Sequence, residues 1–127
     1  MKNKLIFFSL FLVIISSCKK EASTKQDISI DIISPLPNQV FKFGDTVKVI
    51  ANVNSTEELH GYSLIIKKLG GGQVKNNYDH EHGTSLTINK FWVSNITTTT
   101  EMIADITVEL DHDGSTTTKS VLFKCIP

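Results

Sequence analysis

Arginine is absent from the sequence, and 13 lysines balance 13 acidic residues. Adjacent lysines occur only at Lys19-Lys20 and Lys67-Lys68. Proteins that bind nucleic acid usually carry clustered positive charge, with arginine for contacts to phosphate and guanine. The composition therefore argues against a nucleic-acid partner.

Long apolar runs are also missing, apart from Leu5 to Ile15, which Ser9 alone interrupts. Lys2 and Lys4 precede this run, and small residues follow it. The run is short for a membrane-spanning helix, and its flanks are typical of a secretory signal peptide. An N-terminal membrane anchor and a buried helix are the alternatives.

The run ends in Ile15-Ser16-Ser17-Cys18, "ISSC", which resembles a bacterial lipobox. The resemblance implies that residues 1–17 are removed and that Cys18 carries a thioether-linked diacylglycerol. Lys19 stands where an aspartate often marks retention in the inner membrane. Similarity to Gram-negative lipoproteins therefore implies a lipid anchor in the outer membrane of the cell envelope, with the leaflet face left open.

The remaining chain is short enough for one domain. Residues 18–127 number 127 − 17 = 110, and with Lys2 and Lys4 removed their net charge is 11 − 13 = −2. This length is close to the commonest domain size. Residues 18–26, "CKKEASTKQ", are predicted to be a lipidated tether, and residues 27–127 a folded domain. Cys125, the other cysteine, lies in the alternating run "VLFKCIP" and is predicted to be buried and inert.

Helical periodicity is absent after the signal, and apolar residues alternate with polar ones instead. The chain also contains thirteen threonines, which favour strands over helices. Turn signals such as "GGGQ" and Asp113-Gly114 separate the alternating runs. The pattern predicts seven strands, at 27–33, 46–53, 61–68, 74–78, 85–93, 102–111 and 116–126.

About seven short strands in about a hundred residues are typical of an all-β, immunoglobulin-like antiparallel β-sandwich. A closed β-barrel is the structural alternative. The opening "ISPLPNQVFKFGDTVKVIANV" resembles bacterial immunoglobulin-like and fibronectin-type modules. The chain is also similar to small uncharacterised Gram-negative lipoproteins that carry His-x-His before a middle strand, here His80 and His82. That resemblance implies no activity.

The four histidines are His60, His80, His82 and His112. In a sandwich whose consecutive strands alternate in direction, the connections that hold them emerge at one end. His80 and His82, two residues apart, can face one ion, and His60 or His112 can supply a third imidazole for zinc or copper. Asp79, Glu81, Asp111 and Asp113 lie nearby as further ligands or as acceptors for the rings. Solvated polar loops and a pH-sensitive surface are the alternatives.

We find no recognisable catalytic motif in the sequence. "HEH" lacks the helical His-Glu-x-x-His spacing of metalloproteases, and "DHDG" lacks the later ligands of a calcium loop. We therefore predict a non-enzymatic binding module with an unidentified protein or glycan partner, anchored to the membrane through Cys18. The alternative prediction is a metal-binding lipoprotein that uses the histidine end.

Overall fold

The computed structural model describes residues 26–127, so the predicted signal peptide, Cys18 and all of the predicted tether except Gln26 lie outside the described residues. These residues form eight strands and no helix. No helix among residues 26–127 is long and apolar enough to cross a membrane. The strands are β1 (Ile28–Ser34), β2 (Val40–Lys42), β3 (Thr46–Leu59), β4 (Gly61–Lys68), β5 (Gln73–Asp79), β6 (Gly83–Val93), β7 (Thr100–Glu109) and β8 (Thr116–Ile126).

The strands form two sheets, with the orders β1-β3-β6 and β2-β8-β7-β4-β5. In the second sheet, β8, β7 and β4 stand in the order of the G, F and C strands of an immunoglobulin-like sandwich. The predicted fold class is therefore confirmed. The alternative of a single closed barrel is wrong, because the strands divide between two separate sheets.

Three details of the sequence prediction are corrected. Residues 40–42, which lie between the first two predicted strands, form β2, which pairs in parallel with the end of β8. The sandwich therefore has eight strands rather than seven, and it is not wholly antiparallel. The strand predicted at 46–53 continues to Leu59, because its polar second half still pairs with β1 and, after an irregularity, with β6.

The core comes from the alternating residues of both sheets. From β3, Val47, Val49, Ala51 and Val53 are fully buried, and they face the fully buried residues of β4 and β7 across the sandwich. Phe41 of β2 packs edge-on against Phe123 of β8, with ring centroids 5.7 Å apart. Cys125 is also fully buried, as predicted. Interdigitated side chains of this kind account for most of the stability of a β-sandwich.

Because strands alternate in direction, the sandwich has two distinct ends. We call the end formed by His60, residues 80–82 and the turn 110–115 the histidine pole. We call the opposite end, formed by residues 43–45, 69–72 and 94–99, the far pole. The strands between them hold the two poles about one strand length apart.

Candidate metal centre

The chain changes sheets through a single residue at the histidine pole. β3 ends at Leu59 and β4 begins at Gly61, so His60 is the whole connection. The His60 backbone N–H donates to the Glu109 carbonyl oxygen at 3.0 Å, which fixes the crossing against β7. Gly61 has a φ of 152°, and a Cβ there would lie 2.7 Å from the Asp79 carbonyl oxygen. A side chain at position 61 would therefore push β5 away from the crossing, and glycine allows His60 to sit close to the 80–82 loop.

His80 and His82 belong to the three-residue connection between β5 and β6. Their Nε2 atoms are 3.0 Å apart, and their ring centroids are 4.6 Å apart. The Nδ1 atom of His82 lies 3.3 Å from Oε1 of Glu58, near the end of β3. A carboxylate at this position orients the ring and favours the proton on Nδ1, so the Nε2 of His82 accepts a hydrogen bond from Nε2–H of His80, and the same lone pair could instead bind a metal ion.

The other two histidines complete a continuous cluster. The His60 ring centroid is 5.0 Å from that of His82 and 4.1 Å from that of His112. His112, in the β7–β8 turn, lies 6.2 Å from His82 by the same measure. The structure therefore brings together all four histidines, from three connections of the chain, as their predicted placement at one end requires.

The buried Nδ1 atom of His60 has no hydrogen-bond partner among residues 26–127. Leaving a buried polar atom unpaired costs about 1–3 kcal/mol, and most such atoms in proteins are satisfied. A metal ion or an ordered water molecule at the cluster would satisfy it. Asn77 Oδ1 and Ser94 Oγ are unpaired in the same way elsewhere in residues 26–127, so the unpaired nitrogen of His60 supports a bound ligand only together with the neighbouring rings.

The spacing of the rings suits one ion. Two imidazole nitrogens that are each about 2.0–2.1 Å from one zinc ion lie about 2.9 Å apart at a right angle and about 3.4 Å apart at the tetrahedral angle. The Nε2 atoms of His80 and His82, which a hydrogen bond joins at 3.0 Å, already lie at a separation within this interval. The centres of two such rings would be about 4.5–5.2 Å apart. The pairs His80–His82 and His60–His82 meet that condition, which places His82 at the middle of a three-imidazole set.

The histidine rings lie close together, but their nitrogen atoms do not yet surround one common position. No three His, Cys, Asp or Glu side chains of residues 26–127 are already arranged as the ligands of one ion. Binding would therefore need at least one ring to rotate about its side-chain bonds. The fold already holds the backbones of these three connections, which are far apart in sequence, close to one another.

Two of the predicted acidic neighbours have structural partners instead. Asp79 accepts hydrogen bonds from Lys90 at 2.6 Å and from the Tyr62 hydroxyl at 2.5 Å, and these hydrogen bonds hold the pKa of Asp79 below its usual value. Burial, together with the bond to Asp79, raises the pKa of Tyr62. Hydrogen bonds from Ser115 and Asp113 lower the pKa of Asp111, which closes the β7–β8 turn. Among residues 26–127, the acidic residue that pairs with a histidine ring is Glu58, which was not one of the predicted neighbours.

The one cysteine and the one methionine of residues 26–127 are remote from the cluster. Cys125 lies near the end of β8, and its neighbour in the ladder is Thr100, at the far-pole start of β7. Burial raises the pKa of its thiol, so the reactive thiolate is disfavoured. Met102 is fully buried in the core. The cluster thus presents imidazole nitrogens and carboxylate oxygens, which suit zinc or copper(II) better than copper(I).

Comparison with known proteins adds no family to this description. No family model matches the chain, and no curated protein matches it significantly.

Proposed function

We propose that the protein is a non-catalytic cell-envelope lipoprotein, anchored through Cys18, whose histidine pole binds a divalent transition metal, zinc or copper. The observation that carries the proposal is the gathering of His60, His80, His82 and His112 into one chain of neighbouring rings. His80, His82 and His60 supply the nitrogens, and Glu58 orients His82. His112 stands beside His60 as a fourth imidazole.

The charge of the pole supports the same proposal. Glu57, Glu58 and Glu81 are exposed there, and the sequence places no lysine in the 80–82 loop or the 110–115 turn. Negative charge around a site raises the local concentration of cations and speeds their approach at low ionic strength.

A titration of residues 26–127 with zinc chloride or copper chloride tests the proposal. At a free metal concentration of a hundred times the dissociation constant, binding should stabilise the fold by about 2.7 kcal/mol. That corresponds to a rise in melting temperature of roughly 10 °C or more for a domain of this size. The His80→Ala/His82→Ala double variant should fold normally and lose the rise. An unchanged rise in that variant would sink the proposal.

Glu58 offers a test with a matched control. Glu58→Gln should weaken metal binding about 10–100-fold, because outer-shell carboxylates fix ring orientation and basicity. Glu57→Gln removes an equal charge from the adjacent position, which makes no contact with a histidine ring. It should change the affinity much less. Equal losses in both variants would mean that Glu58 acts only through general charge.

A protein or glycan partner remains the second candidate function, and one surface favours it. Phe91 and Val93 point outward from β6, with 64% and 50% of their surfaces exposed. Their neighbour Trp92 points inward and is nearly buried. An outward aromatic side chain is a common anchor in binding surfaces. Phe91→Ser should abolish partner capture on this reading while leaving the metal titration unchanged.

A further inference from the structure

The described chain begins beside the histidine pole. The Gln26 side-chain amide donates to Oγ of Ser55 at 2.8 Å, and the Asp27 backbone N–H donates to Oγ1 of Thr56 at 3.1 Å. The Thr56 backbone N–H donates in return to the Asp27 carbonyl oxygen at 3.1 Å. These hydrogen bonds hold residues 26 and 27, where the chain enters the domain, against the last part of β3. That part of β3 continues directly into His60.

Distances along the chain show how close this entry is to the cluster. His60 is four residues after Thr56, so the two lie at most about 14 Å apart even in a fully extended chain. The far pole is separated from the histidine pole by the length of β7, which has ten residues. At about 3.3 Å per residue in a strand, that is roughly 33 Å.

The lipid attachment point is bounded in the same way. Gln26 is eight residues after Cys18, so the two lie at most about 29 Å apart in any conformation. The entry point can therefore never be farther than this from an anchored Cys18. The far pole lies roughly 33 Å from the entry point, so the domain could turn that pole to the bilayer only with a tether longer than this limit of about 29 Å.

We infer that the histidine pole is the face that the domain turns toward the lipid bilayer. This inference rests on the proposed lipid anchor at Cys18: the length of the tether, and not attraction of the acidic pole to the headgroups, turns this end toward the membrane surface. Anionic headgroups concentrate divalent cations within about a Debye length of that surface. The site would then take its ion from the headgroup layer, while the far pole and the outward face of β6 remain free for other contacts.

Energy transfer from the anchored full chain to the membrane tests this orientation. A thiol-reactive donor dye is placed at Asp113→Cys on the histidine pole or at Thr99→Cys on the far pole. Both native positions are exposed, Cys18 is blocked by its lipid, and Cys125 is buried, so only the introduced thiol reacts. The lipidated protein is reconstituted into vesicles of phosphatidylethanolamine and phosphatidylglycerol that contain an acceptor-labelled lipid.

The transfer efficiency should be about twofold or more higher from position 113 than from position 99, given a difference of roughly 33 Å between the poles. Equal transfer, or higher transfer from position 99, would overturn the orientation while leaving the anchor and the metal site intact. The Cys18→Ser chain should neither sediment with vesicles nor show transfer. If the unaltered chain also failed to sediment, the anchor would be wrong, and this inference would fall with it. The metal titration of residues 26–127 is independent of both results.

Discussion

The two poles of the sandwich are closed in different ways. At the far pole, backbone bonds join the connections: Gly44 N–H donates to the Ser94 carbonyl, and Ser94 N–H donates to the Asp45 carbonyl. Ile96 is buried beneath them. At the histidine pole, backbone bonds hold His60 to Glu109 and close the 110–115 turn, but the three connections meet one another through the histidine rings. Each pole has one unpaired buried side-chain atom, Ser94 Oγ at the far pole and His60 Nδ1 at the histidine pole, but metal-ligating rings are gathered only at the histidine pole of residues 26–127. The far pole therefore serves mainly stability, and the histidine pole is the end suited to binding.

The largest effect should come from the far pole. Phe41→Ala removes a nearly buried ring that packs against Phe123, and the cavity should cost about 3–5 kcal/mol of unfolding free energy. Because the loss lies a strand length from the histidines, metal affinity measured below the lowered melting temperature should stay within about twofold of the parent value. Chemical denaturation and metal titration of the same sample check both expectations. A large loss of affinity in a folded sample would show that the poles are coupled.

Two glycines sharpen the comparison, because both have positive φ and only one is crowded. Gly61→Ala should cost about 1–3 kcal/mol and weaken metal binding, since its Cβ would strike the Asp79 carbonyl oxygen beside His80. Gly44→Ala at the far pole, with φ of 84° and open space around its Cβ, should cost about 1 kcal/mol from backbone strain alone. It should leave metal binding unchanged. If both variants lost metal binding equally, the close approach at Gly61 would not be what positions His60.

The fold class and the shared end of the histidines could be predicted from the sequence, because both follow from the alternation of apolar and polar residues. Period-two runs such as Val47 to Val53 define strands and inward faces, and the alternating direction of consecutive strands then fixes which connections share an end. β2 escaped detection because three residues are too few to show a period, and its pairing with β8 is a long-range contact. The extension of β3 was missed because its polar residues, Ser55 to Glu58, read as a loop.

The internal geometry of the site was harder to predict from the sequence. Which histidine is central depends on a one-residue crossing at His60 and on the clearance at Gly61, and neither has a local signature. Asp79 and Asp111 were equally good candidates by position, but their hydrogen bonds to Lys90, Tyr62 and Ser115 come from partners that only the fold brings close. Glu58 contacts His82 across 24 residues of sequence.

A smaller effect is expected where binding and stability oppose each other. His60→Leu removes the unpaired buried nitrogen, so the metal-free domain should be unchanged or more stable by up to about 1 kcal/mol. The same variant should lose most of the stabilisation by zinc, because it removes one of the three neighbouring imidazoles. Denaturation with and without zinc separates the two terms. If His60→Leu lowered the unfolding free energy of the metal-free domain by more than about 2 kcal/mol, the His60 ring would contribute to packing, and its main role would not be ligand binding.

The smallest effect lies between the poles, at Asp105 on the outer face of the five-stranded sheet. Partial burial opposes its ionisation, but hydrogen bonds from Lys67 at 2.8 Å and Ser120 at 2.6 Å outweigh burial and lower the pKa. A carboxyl whose folded pKa is below its unfolded value of about 3.9 stabilises the fold fully above that value and loses this contribution as the pH falls through the folded pKa. Asp105→Asn should therefore lower stability by less than about 1 kcal/mol at pH 7, and its deficit should shrink below pH 4. Denaturation curves between pH 7 and pH 2 check the sign, since a deficit that grew toward acid would require the Asp105 pKa to be raised instead. Because Asp105 is at neither pole, the metal affinity at pH 7 should not change, which separates the acid sensitivity of the sheet from the chemistry of the histidine pole.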